Sequence, residues 1–212
     1  IKQMIISHKY KYIFIKPMKV AGSSVQVALM ENCNKKDIIK MGGDRVKNFY
    51  EGKIPSIAGR FGSHSTPHHI KSLIGKKIWD TYRKITIVRN PWDMLVSAFW
   101  FKHCKKDFSI LSKTKINELF VKFLKKNLGL NHQFYFKNKI LIADIHLRFE
   151  RLQDDFDKFS NLLKIPQVNL PRLKSQHRKD KRHYSTYYQN QSIKLVANCY
   201  KDIINHFGYK FS

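Results

Sequence analysis

The sequence predicts an α/β fold: one domain over residues 1–212, a three-layer α/β/α arrangement around a central, mostly parallel sheet. Three observations carry this. Short β-prone runs alternate with helical patterns, as in βαβ units that pair in parallel. A Gly/Ser turn joins the first of those runs to a helix, giving a P-loop-like phosphate-binding turn. A hydrophobic fraction of 42% and an aromatic fraction of 13% in 212 residues suffice for a filled core.

The elements follow in order. Tyr12 to Ile15 is a β-prone run bounded by Pro17, and after the turn at Ala21 to Ser24 a helix begins over Val25 to Met30, capped by Ser23 or Ser24. Gly42 to Gly62 is rich in glycine and polar residues and reads as loop, and Pro67 to Leu73 reads as helix with proline in its first turn. Ile85 to Val88 is a buried-strand run, followed by a helix from Trp92 to His103, whose Phe99-Trp-Phe101 reads as core with one ring available to stack on an acceptor. Ile116, Leu119, Phe120, Phe123 and Leu124 recur at helical spacing; Ile145, Leu147 and Phe149 alternate as in a strand. Leu152, Phe156, Phe159 and Leu163 give a helix ended by Pro166, and Ile193 to Phe207 one long helix stopped at Gly208.

Lys and Arg number 41 against 15 Asp and Glu, a net charge of +26. Such a field captures anions without choosing between nucleotide, nucleic acid, acidic glycan and anionic membrane. Cys33, Cys104 and Cys199 form no CxxC pair, so neither a zinc knuckle nor a disulfide framework is indicated. No apolar run reaches about 18 residues, which excludes a membrane-spanning helix. A cytoplasmic protein with reduced thiols is expected. The chain opens on Ile1 rather than Met, which leaves room for a removed targeting or anchor segment.

The segment from Tyr12 to Ser24 runs strand, turn, helix. Such a turn aims backbone N–H groups at one point, and the helix N-terminus favours an anion there. Lys19 adds a mobile charge, Gly22 lets the backbone approach, and Ser23 and Ser24 add hydroxyls. A Walker A loop places its lysine directly before Ser/Thr; Lys19 instead precedes Gly22 by three residues, which argues against a magnesium-dependent kinase or ATPase. Arg89 then sits at the carboxyl end of the Ile85–Val88 strand, where ligands collect in open sheets. Its guanidinium suits a phosphate, with Ser97 eight residues on to meet the same group; the alternative is pairing with Asp93 to pin the turn.

Four segments together resemble PAPS-dependent sulfotransferases (PAPS being 3′-phosphoadenosine 5′-phosphosulfate), especially the group with bacterial and Golgi carbohydrate sulfotransferases. Met18-Lys-Val-Ala-Gly-Ser-Ser24 is similar to the family's 5′-phosphosulfate loop P-K-T-A-G-T-S. Val88-Arg-Asn-Pro-Trp-Asp-Met-Leu-Val-Ser-Ala98 is similar to its 3′-phosphate motif V-R-N-P-W-D-R-L-V-S-A. Arg148-Phe-Glu-Arg-Leu-Gln-Asp-Asp-Phe156 resembles R-F-E-N-L-Q-E-D-F, and Asp202 to Phe211 resembles the ending D-I-x-x-F-G-Y-x-F. Met18 replaces the usual proline and Met94 a common arginine.

The resemblance implies sulfuryl transfer from PAPS to a hydroxyl or amine acceptor, a glycan before a small alcohol or a tyrosine-containing peptide, with no metal. It implies that Lys19 neutralises the leaving oxygen. Val20, Ala21, Gly22, Ser23 and Ser24 would hold the 5′-phosphate, and Arg89 and Ser97 the 3′-phosphate. Arg178, Lys179, Arg182 and Tyr184, in a late basic segment, are candidates for the 3′-phosphate and adenine, or else a solvated charge run. His64 is the expected base, with Glu150 as runner-up. His64 and His68 at i, i+4 lack a further ligand at metal spacing. The alternatives are a basic nucleic-acid-binding protein, though no signature of that class stands out, and a relative that binds PAPS without catalysis.

Overall fold

The computed structural model describes residues 4–34, 37–40, 64–104, 106–108, 110–173, 178, 180 and 182–212; the Gly42–Gly62 stretch and Lys179 lie outside them. The chain forms two compact units, Ile1–Val88 with Gln133–Leu173, and Arg89–His132 with Lys174–Ser212.

The first unit holds a five-stranded sheet in the order β3-β1-β2-β4-β7. Along the chain come β1 (Met4–Ser7), β2 (Tyr12–Ile15), α1 (Gly22–Met30), β3 (Ile38–Lys40), α2 (Pro67–Thr81) and β4 (Arg83–Val88). β2 pairs in parallel with β4, and β4 with β7 (Ile145–Arg148). β1 runs antiparallel to both β2 and β3, so four of the five strands share one direction. This is the mixed α/β architecture the sequence predicts, with helices on both faces of the sheet. Ile13 and Ile15 pack with Ile6 and with Ile70 and Ile74 of α2. Tyr12, which must point the other way along the strand, meets Phe159 of α6 (Leu152–Leu163) edge-on at 5.8 Å. Cover on both faces explains why all four β2 residues are buried.

Local chemistry sets the ends of these elements. Thr66 caps α2, its hydroxyl accepting from the His69 N–H, with Pro67 at the first helical position. α2 runs past Leu73 to Thr81, kinked at Gly75, whose φ of 81° is open to glycine. The Arg148–Phe156 motif is a staple. The buried Asp155 accepts from the Arg148 N–H at 2.8 Å and pairs with Arg151. Gln153 accepts from the Leu170 N–H and donates to the Val168 carbonyl. That ties down the irregular segment that follows α6, whose Leu173 N–H reaches the Ser24 hydroxyl at 3.4 Å.

The second unit is helical around aromatic rings packed edge to face. Its helices are α3 (Pro91–Lys102), α4 (Lys113–Asn127), α7 (Asn190–Cys199) and α8 (Lys201–Phe207). Phe99 meets Phe120 at 5.5 Å, Phe120 meets Tyr188 at 5.0 Å, and the Trp100 indole donates to the Tyr187 hydroxyl at 2.9 Å. Of these, Phe99 and Phe120 are fully buried, and each such ring stabilises the unit by about 1.5–3 kcal/mol. The predicted single C-terminal helix is two, broken at Tyr200, where φ −106° and ψ 21° leave the helical well. The Tyr200 hydroxyl donates to the Leu130 carbonyl, anchoring the break. α8 ends on Gly208 in the left-handed conformation, as its position in the sequence predicts.

The return of the chain to the first unit begins with α5 (His132–Tyr135) and the two-stranded pair β5 (Phe136–Lys137) and β6 (Ile140–Leu141).

Candidate functional site

β2 delivers the chain into a tight loop, residues 16–21, that enters α1 directly. Lys19 and Ala21 both take left-handed backbone, each with φ 61°. For residues with a Cβ this costs on the order of 1 kcal/mol apiece, and such strain gathers where a ligand is gripped. Ala21, not a serine, is the N-cap, and it supplies no side-chain cap bond. The turn closes instead through the Ser24 N–H to the Ala21 carbonyl at 3.0 Å. Ser23 and Ser24 thus lie inside the first helical turn, at the positive end of the helix dipole.

The hydroxyls have distinct neighbours. Ser24 is buried and accepts from the Leu173 N–H; Ser23 accepts from the Lys16 ammonium at 3.2 Å. Lys19 is half-buried at the loop's crest. His64, before α2, sets its Nδ1 3.0 Å from the Lys16 carbonyl oxygen. A carbonyl only accepts, so Nδ1 carries the proton and Nε2 is the basic nitrogen of the neutral ring. The residue expected as a base is therefore held by its side chain to the backbone of the loop at Lys16, with Nε2 as the unprotonated nitrogen of the neutral ring. Glu150 stands exposed in the short 3₁₀ turn after β7. Among the described residues no group of three or more His, Cys, Asp or Glu side chains is placed to hold a metal ion.

In the second unit, Arg89 follows the last residue of β4 and is held by Asp93. Its Nε and Nη2 donate to Asp93 Oδ2 at 2.9 and 2.7 Å. Arg178 reaches the other oxygen of the same carboxylate at 3.3 Å and also donates to the Arg182 carbonyl, while Arg182 pairs with Asp180 at 2.6 Å. Three guanidiniums thus share two carboxylates, leaving the group one charge positive. Burial works against ionisation of Asp180, but the Arg182 hydrogen bonds outweigh it and hold the carboxyl down to about 2. Arg182 also lies over the Tyr187 ring at 4.9 Å, a cation–π contact.

Ser97 is half-buried one helical turn beyond Asp93, so the two share a face of α3. Asn90 orders this entry: its Oδ1 caps α3, accepting from the Trp92 and Asp93 N–H groups, while its Nδ2 donates to the Lys210 carbonyl. Tyr184 is buried, and its hydroxyl bonds the Ser212 hydroxyl and accepts from the Ser212 N–H. The structure thus gathers Lys19, Val20, Ala21, Gly22, Ser23, Ser24 and His64 in the first unit, and Arg89, Ser97, Arg178, Arg182 and Tyr184 in the second.

Sequence reasoning missed Lys16 and the Arg178–Asp93 link. A lysine closing an apolar run looks like the solvated end of a strand. Nothing short of the fold brings together Asp93 and Arg178, 85 residues apart.

The Sulfotransferase family model matches residues 2–210. The chain belongs to the sulfotransferase family. Sulfotransferase membership makes sulfuryl transfer from a nucleotide sulfate donor to an acceptor the class of reaction. Among curated relatives, an uncharacterized protein of Archaeoglobus fulgidus is 29% identical over 105 residues, covering 46% of this chain and 81% of that protein. No solved structure matches the chain. No helix among the described residues of this sulfotransferase is long and apolar enough to cross a membrane.

Proposed function

We propose that the chain acts as one sulfotransferase domain that moves the sulfuryl group of PAPS to a hydroxyl, or to an amine, of an acceptor, foremost a carbohydrate. The observation that carries this reading is the strained loop around Lys19 with the His64 ring hydrogen-bonded to its first residue. A cation for the leaving group and a base for the acceptor are thereby tied to one short segment.

The reaction needs little beyond positioning and charge. The acceptor oxygen forms a bond to sulfur as the bond from sulfur to the bridging oxygen breaks. That electron pair stays on the 5′-phosphate, where Lys19 neutralises it. The acceptor proton passes to His64 Nε2. The N–H groups of residues 21–24 and the Ser23 and Ser24 hydroxyls hold the 5′-phosphate. Arg89 and Ser97 take the 3′-phosphate, assisted by Arg178, Arg182 and the Lys179 segment, with Tyr184 beside the adenine. The guanidinium cluster favours this, since it keeps positive charge after its internal pairs are counted. A net charge of +26 favours an anionic acceptor such as an acidic glycan.

The test is transfer of labelled sulfate from PAPS to a panel of glycans and phenols. Wild type labels at least one acceptor, and Lys19→Ala lowers kcat by about 10²–10³. A chain that binds 3′-phosphoadenosine 5′-phosphate (PAP) yet labels nothing in the panel is a binding relative and not an enzyme.

A further inference from the structure

Arg178 reaches Asp93, and so the neighbourhood of Arg89, from 85 residues away, and the segment that carries it must be fixed in place. Arg178 is folded onto that segment. Its Nε donates to the Asp180 carbonyl at 3.0 Å, and its Nη2 to the Arg182 carbonyl. Where Arg178 stands therefore depends on where Arg182 stands, just before the 3₁₀ turn Tyr184–Tyr187. That turn is held at both ends. At its far end the Trp100 indole donates to the Tyr187 hydroxyl. At its near end Tyr184 is gripped by Phe211 and Ser212. The half-buried Phe211 ring lies edge-on to Tyr184 at 5.7 Å, to Tyr188 at 5.5 Å and to Trp92, in the first turn of α3, at 5.6 Å. The Ser212 N–H donates to the Tyr184 hydroxyl at 3.1 Å, and the two hydroxyls bond at 3.0 Å. The Lys210 carbonyl accepts from Asn90, the residue after Arg89 and the cap of α3, at 3.0 Å. Residues 210–212 thus join the start of α3 to the turn that follows Arg182, and the Phe211 ring touches both.

We propose that Phe211 is a positioning residue that sets Arg178 beside Arg89 to receive the 3′-phosphate of the sulfate donor. The inference rests on the PAPS reading above. Guanidinium contacts to a phosphate depend on the geometry of a planar fork, so two such groups on one phosphate must keep a fixed spacing. Without the Phe211 ring the turn pivots about Tyr187, and the guanidinium of Arg178 loses that spacing. Phe211 acts through Tyr184 and Arg178 and takes no part in the transfer itself. PAP and AMP share the adenine and the 5′-phosphate. Any loosening of Tyr184 on the adenine side therefore weakens both by the same factor and cancels in the ratio of their affinities. That ratio reads the 3′-phosphate alone.

The test is calorimetric binding of PAP and of AMP to the full chain as wild type, Phe211→Ala, Phe211→Leu, Arg178→Ala and the double variant of Phe211→Ala with Arg178→Ala. Phe211→Ala lowers the preference for PAP over AMP about tenfold, the loss of one hydrogen bond to a charged group. Arg178→Ala lowers it by a similar factor, and the double variant falls no more than about twofold below either single. Phe211→Leu keeps an apolar side chain but loses the ring contacts, so it lowers the preference about threefold even where Phe211→Ala does not fold. An unchanged preference in Phe211→Leu, equal losses of PAP and AMP in Phe211→Ala, or single losses that multiply to about a hundredfold overturn the inference. So does an Arg178→Ala chain that keeps the wild-type preference. A wild type with no preference for PAP removes the functional reading and this inference together. A wild type that prefers PAP while its Phe211 variants keep that preference removes this inference alone.

Discussion

Replacing Gly22 by alanine tests the packing under the loop that enters α1 without reference to any ligand. The added Cβ would meet three carbons of the Lys16 stem at 2.7, 2.8 and 3.1 Å, all well inside normal contact. The stem is buried and its head is held by two hydrogen bonds, so it has little freedom to move aside. Overpacking of this kind costs about 1–3 kcal/mol. At roughly 2–4 °C per kcal/mol for a chain of this size, a mid-range cost lowers the melting temperature by about 4–8 °C. In a Lys16→Ala background the obstacle is gone, and Gly22→Ala at the start of α1 should then stabilise by roughly 0.5–1 kcal/mol through helix propensity. Thermal denaturation of the four chains reads the cycle. A Gly22→Ala cost that is the same with and without the Lys16 side chain refutes the argument that the stem is what excludes a Cβ.

Two further outcomes follow from the sites. Asp180, held down to about 2 when folded, titrates near about 4 when unfolded, so its stabilising effect is complete above that higher value and is lost as pH falls toward 2. Asp180→Asn should therefore be less stable than wild type at neutral pH, and the gap should close in acid denaturation between those limits; a constant gap contradicts the Arg182 pairing as its cause. His64→Ala should lower kcat by about 10²–10⁴ while PAP binding is kept, and loss of PAP binding instead would assign the ring to the loop's structure rather than to proton transfer.

The main sheet strands and the strand-turn-helix entry into α1 were legible because their signals are local. Tyr12–Ile15 and Ile85–Val88 are apolar runs covered on both faces, and their bounds in the sequence match those of β2 and most of β4. α4 shows its buried stripe through Ile116, Phe120, Phe123 and Leu124. What escaped depends on the third dimension. β1 and β3 are short strands that pair only with each other and with β2, so their register is set by the sheet and not by their own residues. The cap of α1 falls on Ala21 rather than on a serine because the left-handed loop residues turn the chain into the helix before Ser23 is reached. The break at Tyr200 answers to a hydrogen bond with Leu130, 70 residues away. Arg89 shows how a local motif can be read yet incompletely understood. Its place after β4 was evident, but Asp93 holding Arg89 and Arg178 together is a product of the fold.

The central claim is that the chain recognises a nucleotide carrying a 3′-phosphate, and thermal stabilisation by PAP beside AMP in wild type and Arg89→Ala tests it most directly. At about a hundred times the dissociation constant, PAP should add about 2.7 kcal/mol, or roughly 5–10 °C in melting temperature, with AMP well below it at the same concentration. The advantage of PAP should shrink in Arg89→Ala. Equal stabilisation by PAP and AMP, or a PAP preference untouched by Arg89→Ala, would contradict the account.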